Sequence, residues 1–289
     1  MGDEDSGQPD LSSLRQKAQR GDAKAEYLLG SFYMTGVSQD YKEAARWYHE
    51  AAAQGLADAE FGLGYLYEQG KGVERDYRQA VAYYTAAAKQ GHVTAANNLG
   101  SMYERGEGLG KNPGEAAHWY RAAANNGDVT AQCNLASLYF RGRGVARDYA
   151  QAAAWFKAAA ELGYAPAQED LAWMYYNGMG VKLDYSEAAK WVRRASEQGY
   201  ARGQIDLGYL YEQGKGVPLD YVRAYMWYQL AVAGGDERGR ARMKSLSRAM
   251  SQQQISEARD RAVQFPGSRT PGEGTGNSNA NGSSFAERR

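Results

Sequence analysis

Five short loops of the form Gly-x-Gly are the first candidates for chemistry, because glycine-rich loops can cradle phosphate groups. Gly70-Lys71-Gly72 is one of them. A phosphate loop needs a strand before it and a helix that begins directly after its glycines. Here the glycines follow a helical pattern, and the next helix is predicted to begin several residues later at Asp76, whose charge would repel phosphate. We therefore predict that these glycines end helices and do not bind phosphate.

Histidine, cysteine and paired carboxylates offer no catalytic or metal-binding pattern. His49, His92 and His118 have no partner at i+4 and no acidic or cysteine cluster at ligand spacing. Cys133, the single cysteine, has no histidine near it in sequence, which favours a packed or groove-facing thiol over a nucleophile. Most Asp and Glu residues occupy helix-capping positions, so no acid–base pair stands out. The sequence predicts no catalytic residue, no metal and no cofactor.

A locally basic run lies near the end of the predicted helical region, and it has two interpretations. It is either a solvated helix face or a site for an acidic partner. The sequence leaves both open. The run consists of Arg238, Arg240, Arg242, Lys244 and Arg248.

Composition and charge exclude several classes of protein. The 289 residues carry 34 Lys and Arg against 34 Asp and Glu, a balance that argues against nucleic-acid binding and against adhesion to anionic membranes. No apolar run is long enough for a transmembrane segment. The stretch from Met1 to Asp10 is acidic and polar, unlike a secretory signal. We expect a soluble cytoplasmic protein, with a periplasmic or secreted one as the alternative if a leader was removed.

A unit of about 36 residues recurs six times, and it dominates the sequence. The first interval is 34 residues and the next four are 36. Each unit contains a small residue followed by tyrosine: Gly30/Tyr33, Gly64/Tyr67, Gly100/Tyr103, Ala136/Tyr139, Ala172/Tyr175 and Gly208/Tyr211. Each then has a loop glycine, the first of which is Gly36, and an acidic or amide residue: Asp40, Asp76, Asn112, Asp148, Asp184 and Asp220.

Each unit is predicted to fold as helix, loop and helix. In the second unit Ala59, Leu63 and Tyr67 form the apolar stripe of a first helix. Asp76 should cap the second helix, with Gln79 completing a reciprocal capping box. The same box is predicted at Asp40/Glu43, Asn112/Glu115, Asp148/Gln151 and Asp184/Glu187, whereas the sixth unit has Arg223 instead of an acid or amide. Because a lone hairpin cannot bury both of its stripes, the units must stack.

The recurring pattern, A-x-x-x-L-G-x-x-Y-x-x-G-x-G-V-x-x-D-x-x-x-A-x-x-W-Y-x-x-A-A-x-x-G, resembles the Sel-one-like repeat (SLR), a relative of the tetratricopeptide repeat. The resemblance covers Asp22 to Gly235. The resemblance implies an all-α, right-handed α-solenoid, which is a superhelix of six helix–loop–helix repeats. It also implies an adaptor function, because proteins with this repeat resemble adaptors that gather partners. Some secreted relatives staple each hairpin with cysteines, which this chain lacks.

The sequence also predicts the domain boundaries. Leu11, Leu14 and Ala18 favour an N-terminal capping helix, whereas Met243, Leu246 and Met250 favour a helix after the repeats. A capping box, Ser251 with Gln254, should open a last helix that carries Ile255, Ala258, Ala262 and Phe265. The expected order is a disordered N-terminus (1–9), the N-terminal capping helix (10–21), six repeats (22–55, 56–91, 92–127, 128–163, 164–199 and 200–235), C-terminal capping helices (236–265) and a disordered tail (266–289).

Similarity to tetratricopeptide repeats implies that the first helices line a concave groove. Positions two before and two, five or six after the stripe leucine should point into it. Aromatic side chains are prominent there, with arginines and an amide nearby, a composition typical of binding hot spots. Some of these aromatics could instead pack between adjacent first helices. The candidate protein-binding residues are Phe61, Tyr65, Asn97, Arg105, Phe140, Arg141, Trp173, Tyr176 and Tyr209.

These observations predict a non-enzymatic adaptor, a monomer that binds a protein or peptide partner in the concave groove. Two alternatives stay open at this point. The solenoid could present a hydrolytic or glycan-processing site, although no nucleophile–base or metal constellation is recognisable. It could also form a structural rod by end-to-end association, against which the predicted capping helices argue.

Overall fold

The computed structural model describes residues 11–35 and 39–266, and within these ranges the protein is all-α, without a strand. The predicted disorder of residues 1–9 and of the tail from residue 267 onward, together with Asp10 and Gly36, lies outside the described residues. No described helix is both long and apolar enough to cross a membrane. The helices are α1 (Leu11–Gln19), α2 (Ala23–Thr35), α3 (Tyr41–Ala53), α4 (Ala57–Gln69), α5 (Tyr77–Lys89), α6 (Val93–Arg105), α7 (Pro113–Asn125), α8 (Val129–Arg141), α9 (Tyr149–Glu161), α10 (Ala165–Asn177), α11 (Tyr185–Glu197), α12 (Ala201–Gln213), α13 (Tyr221–Ala233), α14 (Arg238–Leu246) and α15 (Gln252–Gln264).

The chain divides into two compact units, the first ending at Ala131 and the second beginning at Gln132. In the first unit each helix packs on the next from α1 through α7. Leu14 and Ala18 of α1 are buried there, as expected of a capping helix. In the second unit α9 to α13 pack in the same successive way, and both α14 and α15 pack on α13. Even-numbered helices from α2 to α12 are the first helices of the six repeats, and odd-numbered helices from α3 to α13 are the second.

The helix ends form through the predicted signals. The Asp76 carboxylate accepts hydrogen bonds from the backbone N–H groups of Arg78 and Gln79, at 2.8 and 3.2 Å, and α5 begins at Tyr77. Such a cap stabilises a helix by about 1 kcal/mol. Gly70 ends α4 in the left-handed conformation with φ of 67°, which a residue with a Cβ adopts only with strain.

Among the described helices, α15 has the reciprocal capping box that was predicted for it. Ser251 and Gln254 bond each other reciprocally at the start of α15. At α3 the Glu43 carboxylate instead bonds Arg46, at 2.8 Å, and at α11 the Glu187 carboxylate bonds Lys190, also at 2.8 Å. A full charge at i+3 competes successfully with a backbone N–H for these carboxylates. The prediction of reciprocal boxes at these two helices is therefore wrong, although their aspartate caps are present.

The two helices of a hairpin meet where a glycine of the first helix faces a tyrosine ring of the second. A Cβ on Gly64 would lie 2.5 Å from the ring of Tyr84, and one on Gly100 would lie 2.7 Å from the ring of Tyr120. In the second unit Gly208 faces Tyr228 in the same way, at 2.7 Å. All three tyrosines are buried, so each close approach lets a large ring lie in the core.

The hydroxyl of each of these tyrosines emerges toward the first helix and donates to a glutamate four residues after the glycine. Tyr84 donates to Glu68 at 2.7 Å, and Tyr228 donates to Glu212 at 2.5 Å. Burial is the largest cause that raises the pKa of Tyr84 and of Tyr228, and the neighbouring carboxylate adds to it, so both hydroxyls stay protonated. The ring thus fills the core while its one polar atom is satisfied.

The second glycine of a Gly-x-Gly loop allows neighbouring repeats to approach in both units. In the first unit, a Cβ on Gly72 would lie 2.1 Å from the backbone carbonyl oxygen of Tyr41, at the start of α3 in the preceding repeat. In the second unit, Gly180 and Tyr149 are related in the same way, at 2.1 Å. The loop glycines therefore do more than end a helix. They permit backbone-to-backbone contact between repeats.

The segment after the last repeat departs from the prediction at Met250 and at Phe265, which follows the end of α15 in an extended conformation. Helix α14 ends at Leu246, a 3-10 turn follows over Ser247–Ala249, and Met250 is extended, with φ of −115° and ψ of 146°. Met250 is nevertheless buried, so its apolar character reflects packing and not membership of α14. The prediction that Met250 continues the helix of Met243 and Leu246 is wrong.

Replacing Gly72 with Ala should destabilise the protein more than replacing Gly91 with Ala. Both glycines have positive φ, 72° and 89°, so both variants carry the left-handed backbone cost of about 1–2 kcal/mol. Only Gly72 also faces backbone atoms, whereas a Cβ on Gly91 would meet nothing within 4 Å. We expect a further loss of about 1–3 kcal/mol for G72A. Urea unfolding followed by circular dichroism measures both, and equal midpoints would contradict the role given to Gly72.

Candidate protein-binding face

The candidate residues lie on the first helices, and the contacts of those in the first unit differ from one residue to the next. Phe61 is half-buried and stacks on the imidazole of His92, with ring centroids 4.5 Å apart. Tyr65 is half-buried, and its hydroxyl accepts a hydrogen bond from the Lys71 ammonium at 3.1 Å. Asn97 is also half-buried on α6. Phe61 is therefore engaged by the next repeat, while Tyr65 borders a loop cation.

Arg105 is exposed but held between two carboxylates. Its guanidinium lies 3.1 Å from Glu68 and 2.7 Å from Glu107. Burial tends to lower the pKa of Arg105, but these carboxylates outweigh it and raise the pKa. A cation fixed in this way has its charge matched within the first unit, which leaves little for an acidic ligand to gain.

In the second unit Phe140 and Trp173 form an edge-to-face pair, with centroids 5.5 Å apart. Phe140 is half-buried and also lies 5.2 Å from Tyr149. Trp173 is only 8% exposed, because it packs between adjacent first helices against Phe140. The expectation that Trp173 is an exposed aromatic is wrong, and the alternative of packing between first helices applies to it. Arg141, at the end of α8, is half-buried.

Tyr176 and Tyr209 lie next to each other on α10 and α12, with ring centroids 6.4 Å apart, and both are half-buried. The Lys215 ammonium donates to the Tyr176 hydroxyl at 2.6 Å. Arg242 of α14 lies over the ring of Tyr209, 5.4 Å from its centroid. Sequence reasoning missed Lys215, although the identical stretches 67–73 and 211–217 place a lysine between two loop glycines in both units.

The predicted basic run separates into different environments. Arg238 pairs with Asp236 at 2.6 Å, and Arg240 pairs with Glu237. Arg242 is half-buried over Tyr209, whereas Lys244 and Arg248 are exposed. The solvated-face interpretation fits the last two. Arg242 instead contacts the surface that the first helices of the second unit form with Tyr176 and Tyr209, which we call the first-helix face.

A buried ion cluster joins α10 to α12 behind this face. The Arg202 guanidinium lies 3.0 Å from Glu169 and 3.9 Å from Asp170. Glu169 and Asp206 are fully buried. Burial opposes the charge of Arg202, but Glu169 and Asp170 outweigh it and raise the pKa of Arg202. This cluster ties the fifth repeat to the sixth.

Replacing Arg202 with Met should destabilise the second unit by about 3–5 kcal/mol, because it leaves buried carboxylates without their cation. Adding Glu169→Gln to Arg202→Met should recover part of this loss by removing one of the stranded charges. The measurement is the free energy of unfolding in urea.

The matched control is Arg261→Met, which breaks an exposed pair with Glu257 in α15. Exposed pairs of this kind contribute about 0–1 kcal/mol. A similar loss in both variants would refute the importance given to the buried cluster.

Cys133 and the histidines show no sign of chemistry. Cys133 is buried, and burial raises the pKa of its thiol, with the nearby Asp170 and Glu169 adding to the effect, so the thiol is protonated at neutral pH. This favours the packed interpretation. In the part of the chain that the structure describes, no group of three His, Cys, Asp or Glu side chains could hold a metal ion.

His92 has a structural part at the start of α6. Its Nδ1 atom accepts a hydrogen bond from the Ala95 N–H at 3.1 Å, which requires the neutral ring. Burial lowers the pKa of His92, and Asp58, 3.6 Å from Nε2, only partly offsets this. His49 lies 3.3 Å from the hydroxyls of Tyr67 and Tyr83, and burial lowers its pKa as well.

Acidification should therefore destabilise the first unit through His92. With a folded pKa below the unfolded value of 6.5, the unfolded chain binds the proton first, and stability is lost as the pH falls from 6.5 through the folded pKa. His92→Asn keeps a capping side chain but does not titrate. Free energies of unfolding at pH 7.5 and 5 should differ less in this variant than in the wild type. His118→Asn, at an exposed position, is the control, and an unchanged pH dependence in H92N would contradict this account.

The fold and the face define a class of protein, the α-solenoid built from helical hairpins. The Sel1 repeat family matches the chain six times, at residues 23–56, 57–92, 93–128, 129–164, 165–200 and 201–236. The protein therefore belongs to the Sel1 repeat family. Such proteins generally mediate protein–protein interactions, and their fold is typically a non-catalytic scaffold.

Two of the similar solved structures share at least 30% sequence identity with the chain. A protective antigen present in uropathogenic Escherichia coli strains, which displays an SLR fold, is 34% identical with a TM-score of 0.80. That alignment covers 89% of this chain and 56% of the antigen, so the chain spans little more than half of the antigen's length. A Sel1 repeat protein from Oxalobacter formigenes is 30% identical with a TM-score of 0.70, over 76% of this chain and 91% of that one. No curated protein sequence matches the chain.

Proposed function

We propose that the protein is a non-enzymatic adaptor that binds a segment of a partner protein on the first-helix face of its second unit. The observation that carries this proposal is the adjacency of Tyr176 and Tyr209 on neighbouring first helices. Both rings are only half-buried, in contrast to the buried Tyr228, which fills the core. Partly exposed aromatics on rigid helices are favourable anchors for a partner, because little side-chain entropy is lost on binding.

The chemistry of the face supports binding rather than catalysis. Its part-buried carboxylate Glu212 accepts a hydrogen bond from the Tyr228 hydroxyl and has a structural role. The Cys133 thiol is buried and protonated. A nucleophile needs an adjacent base and an accessible position, and Cys133 has a raised pKa instead of a lowered one.

The test is capture of binding partners from the native host with the full chain as bait, comparing wild type with the double variant Tyr176→Ala/Tyr209→Ala. Loss of two aromatic anchors should reduce recovery of a specific partner by at least about 30-fold, since hot-spot truncation costs about 2 kcal/mol or more. Trp173 is left intact because its replacement would open a cavity in the core.

The control for this capture is Leu162→Ala, which removes an apolar side chain that is 63% exposed at the end of α9. It should leave recovery unchanged, and all three proteins should show the same helicity by circular dichroism. Equal recovery with wild type and with the tyrosine variant would refute the first-helix face as the binding site.

A further inference from the structure

Five residues of the second unit form a continuous strip of aromatic rings and cations, which we call the cation–aromatic strip: Tyr176, Tyr185, Tyr209, Lys215 and Arg242. The ring of Tyr176 lies 5.2 Å from that of Tyr185 and 6.4 Å from that of Tyr209. The Lys215 ammonium lies 4.6 Å and 5.1 Å from the centroids of Tyr176 and Tyr185. Arg242 lies over Tyr209 at the other end of the strip.

Both cations of the strip contact tyrosines and not carboxylates: Lys215 donates to the Tyr176 hydroxyl and lies near two rings, and Arg242 lies over the ring of Tyr209. Among residues 11–35 and 39–266, neither Lys215 nor Arg242 has an Asp or Glu within ion-pair distance. Other arginines of the chain do have such partners, as Arg105 has Glu68 and Arg238 has Asp236. A cation over an aromatic ring keeps its full charge while its position is fixed. The strip therefore presents two positive charges on tyrosine rings, and neither has an ion-pair partner among the described residues.

Carboxylates near the strip are already engaged. Glu212, on the same helix as Tyr209, accepts the hydrogen bond from Tyr228. Glu169 and Asp170 lie with Arg202 in the buried cluster. A carboxylate keeps its negative charge while it accepts a hydrogen bond, so Glu212 offsets part of the positive charge of the strip, whereas Glu169 and Asp170 are buried with Arg202. Lys215 and Arg242 remain the two charges that lie on the rings themselves.

We propose that the cation–aromatic strip binds an acidic segment of a partner protein, with carboxylates of the partner on Lys215 and Arg242 and an apolar side chain between them on Tyr176 and Tyr209. This inference rests on the proposed function and adds the chemical class of the partner. Two charges flanking rings suit a short peptide. A nucleic acid would need a longer basic track, which a chain with 34 cationic and 34 anionic side chains does not supply.

The test measures the affinity of the full chain for three fluorescent twelve-residue peptides by anisotropy. The first peptide alternates Asp or Glu with Leu or Phe, the second replaces each acid by its amide, and the third replaces each acid by Lys. The acidic peptide should bind at least 10-fold more tightly than the amide peptide at about 50 mM salt, and the difference should shrink at about 500 mM salt. Equal affinities for the acidic and amide peptides would overturn the proposal, as would preference for the Lys peptide or no binding of the acidic one.

Variants locate the binding site. The double variant Lys215→Gln/Arg242→Gln should bind the acidic peptide with about 5- to 30-fold lower affinity. The matched control is Lys190→Gln/Arg194→Gln, which also removes one lysine and one arginine, both lying over the ring of Trp191 on a second helix. It should leave the affinity unchanged. Equal effects of the two double variants would overturn the assignment of the strip.

Other occupants of the strip give distinct results. If a variant without residues 1–9 binds the acidic peptide much more tightly, the chain's own acidic N-terminus competes for the strip, and the partner proposal falls. If the affinity falls as protein concentration rises, a second copy occupies the strip, with the same consequence. Binding of a single-stranded oligonucleotide that the Lys215/Arg242 variant abolishes would also overturn it.

Failure of this inference is distinguishable from failure of the proposed function. If capture of a partner requires Tyr176 and Tyr209 but is unaffected by the Lys215/Arg242 variant, the adaptor function stands. Only the proposal of an acidic segment is then refuted. Capture that is indifferent to the tyrosines removes both.

Discussion

Four hairpins of this protein, those of the first, second, third and sixth repeats, depend on close contact between a glycine of the first helix and a tyrosine ring of the second. Where Gly64 meets Tyr84, no side chain separates the two, and the ring occupies the volume that a Cβ would take. Close approach of this kind allows a small hairpin to bury a large ring, and the tyrosine hydroxyl reaches a carboxylate at the edge of the core. Helix spacing, the burial of the ring and the position of one acidic side chain on the first-helix face are thus set together.

A change in this contact alters the surface as well as the core. In the fourth and fifth repeats Ala136 and Ala172 replace the glycine, and the tyrosine position twenty residues later holds the buried Phe156 and Val192. Neither side chain has a hydroxyl to satisfy. The position that holds glutamate in the second, third and sixth repeats is accordingly aromatic, as in Tyr176. A less demanding core contact thus coincides with an aromatic first-helix face, on which the proposed binding depends.

Local features of the fold could be predicted from sequence because they depend on residues close together in the chain. The cap by Asp76 and the left-handed Gly70 each require only neighbours within a few positions. The class of fold followed from six copies of one pattern, and the family match and similar structures confirm it. The capping boxes of α3 and α11 failed because Arg46 and Lys190 also lie within reach of the same glutamates, and the pattern does not rank two local partners.

The binding face was harder to predict, because it depends on contacts between repeats. From the sequence alone, Trp173 has no predicted packing partner. In the structure it packs against Phe140, which lies thirty-three residues earlier in the chain. From the sequence alone, Lys215 is a loop residue without an assigned contact. In the structure its ammonium donates a hydrogen bond to Tyr176, which lies thirty-nine residues earlier. Arg242 belonged to a run of cations whose members look alike in sequence and have different surroundings in the structure. Helical periodicity tells which side of a helix a residue occupies, but not which side chain of the next repeat covers it.

The ion pair between Glu169 and Arg202 has a consequence for how such arrays change length in evolution. Helical repeats are gained and lost by duplication and deletion, which ordinary repeats tolerate because each junction resembles the next. The fifth and sixth repeats do not have an ordinary junction, since each contributes one half of a buried charge pair. Inserting a copy of another repeat between them would separate acid from base, so we expect this junction to tolerate an insertion less well than a junction without a buried ion pair.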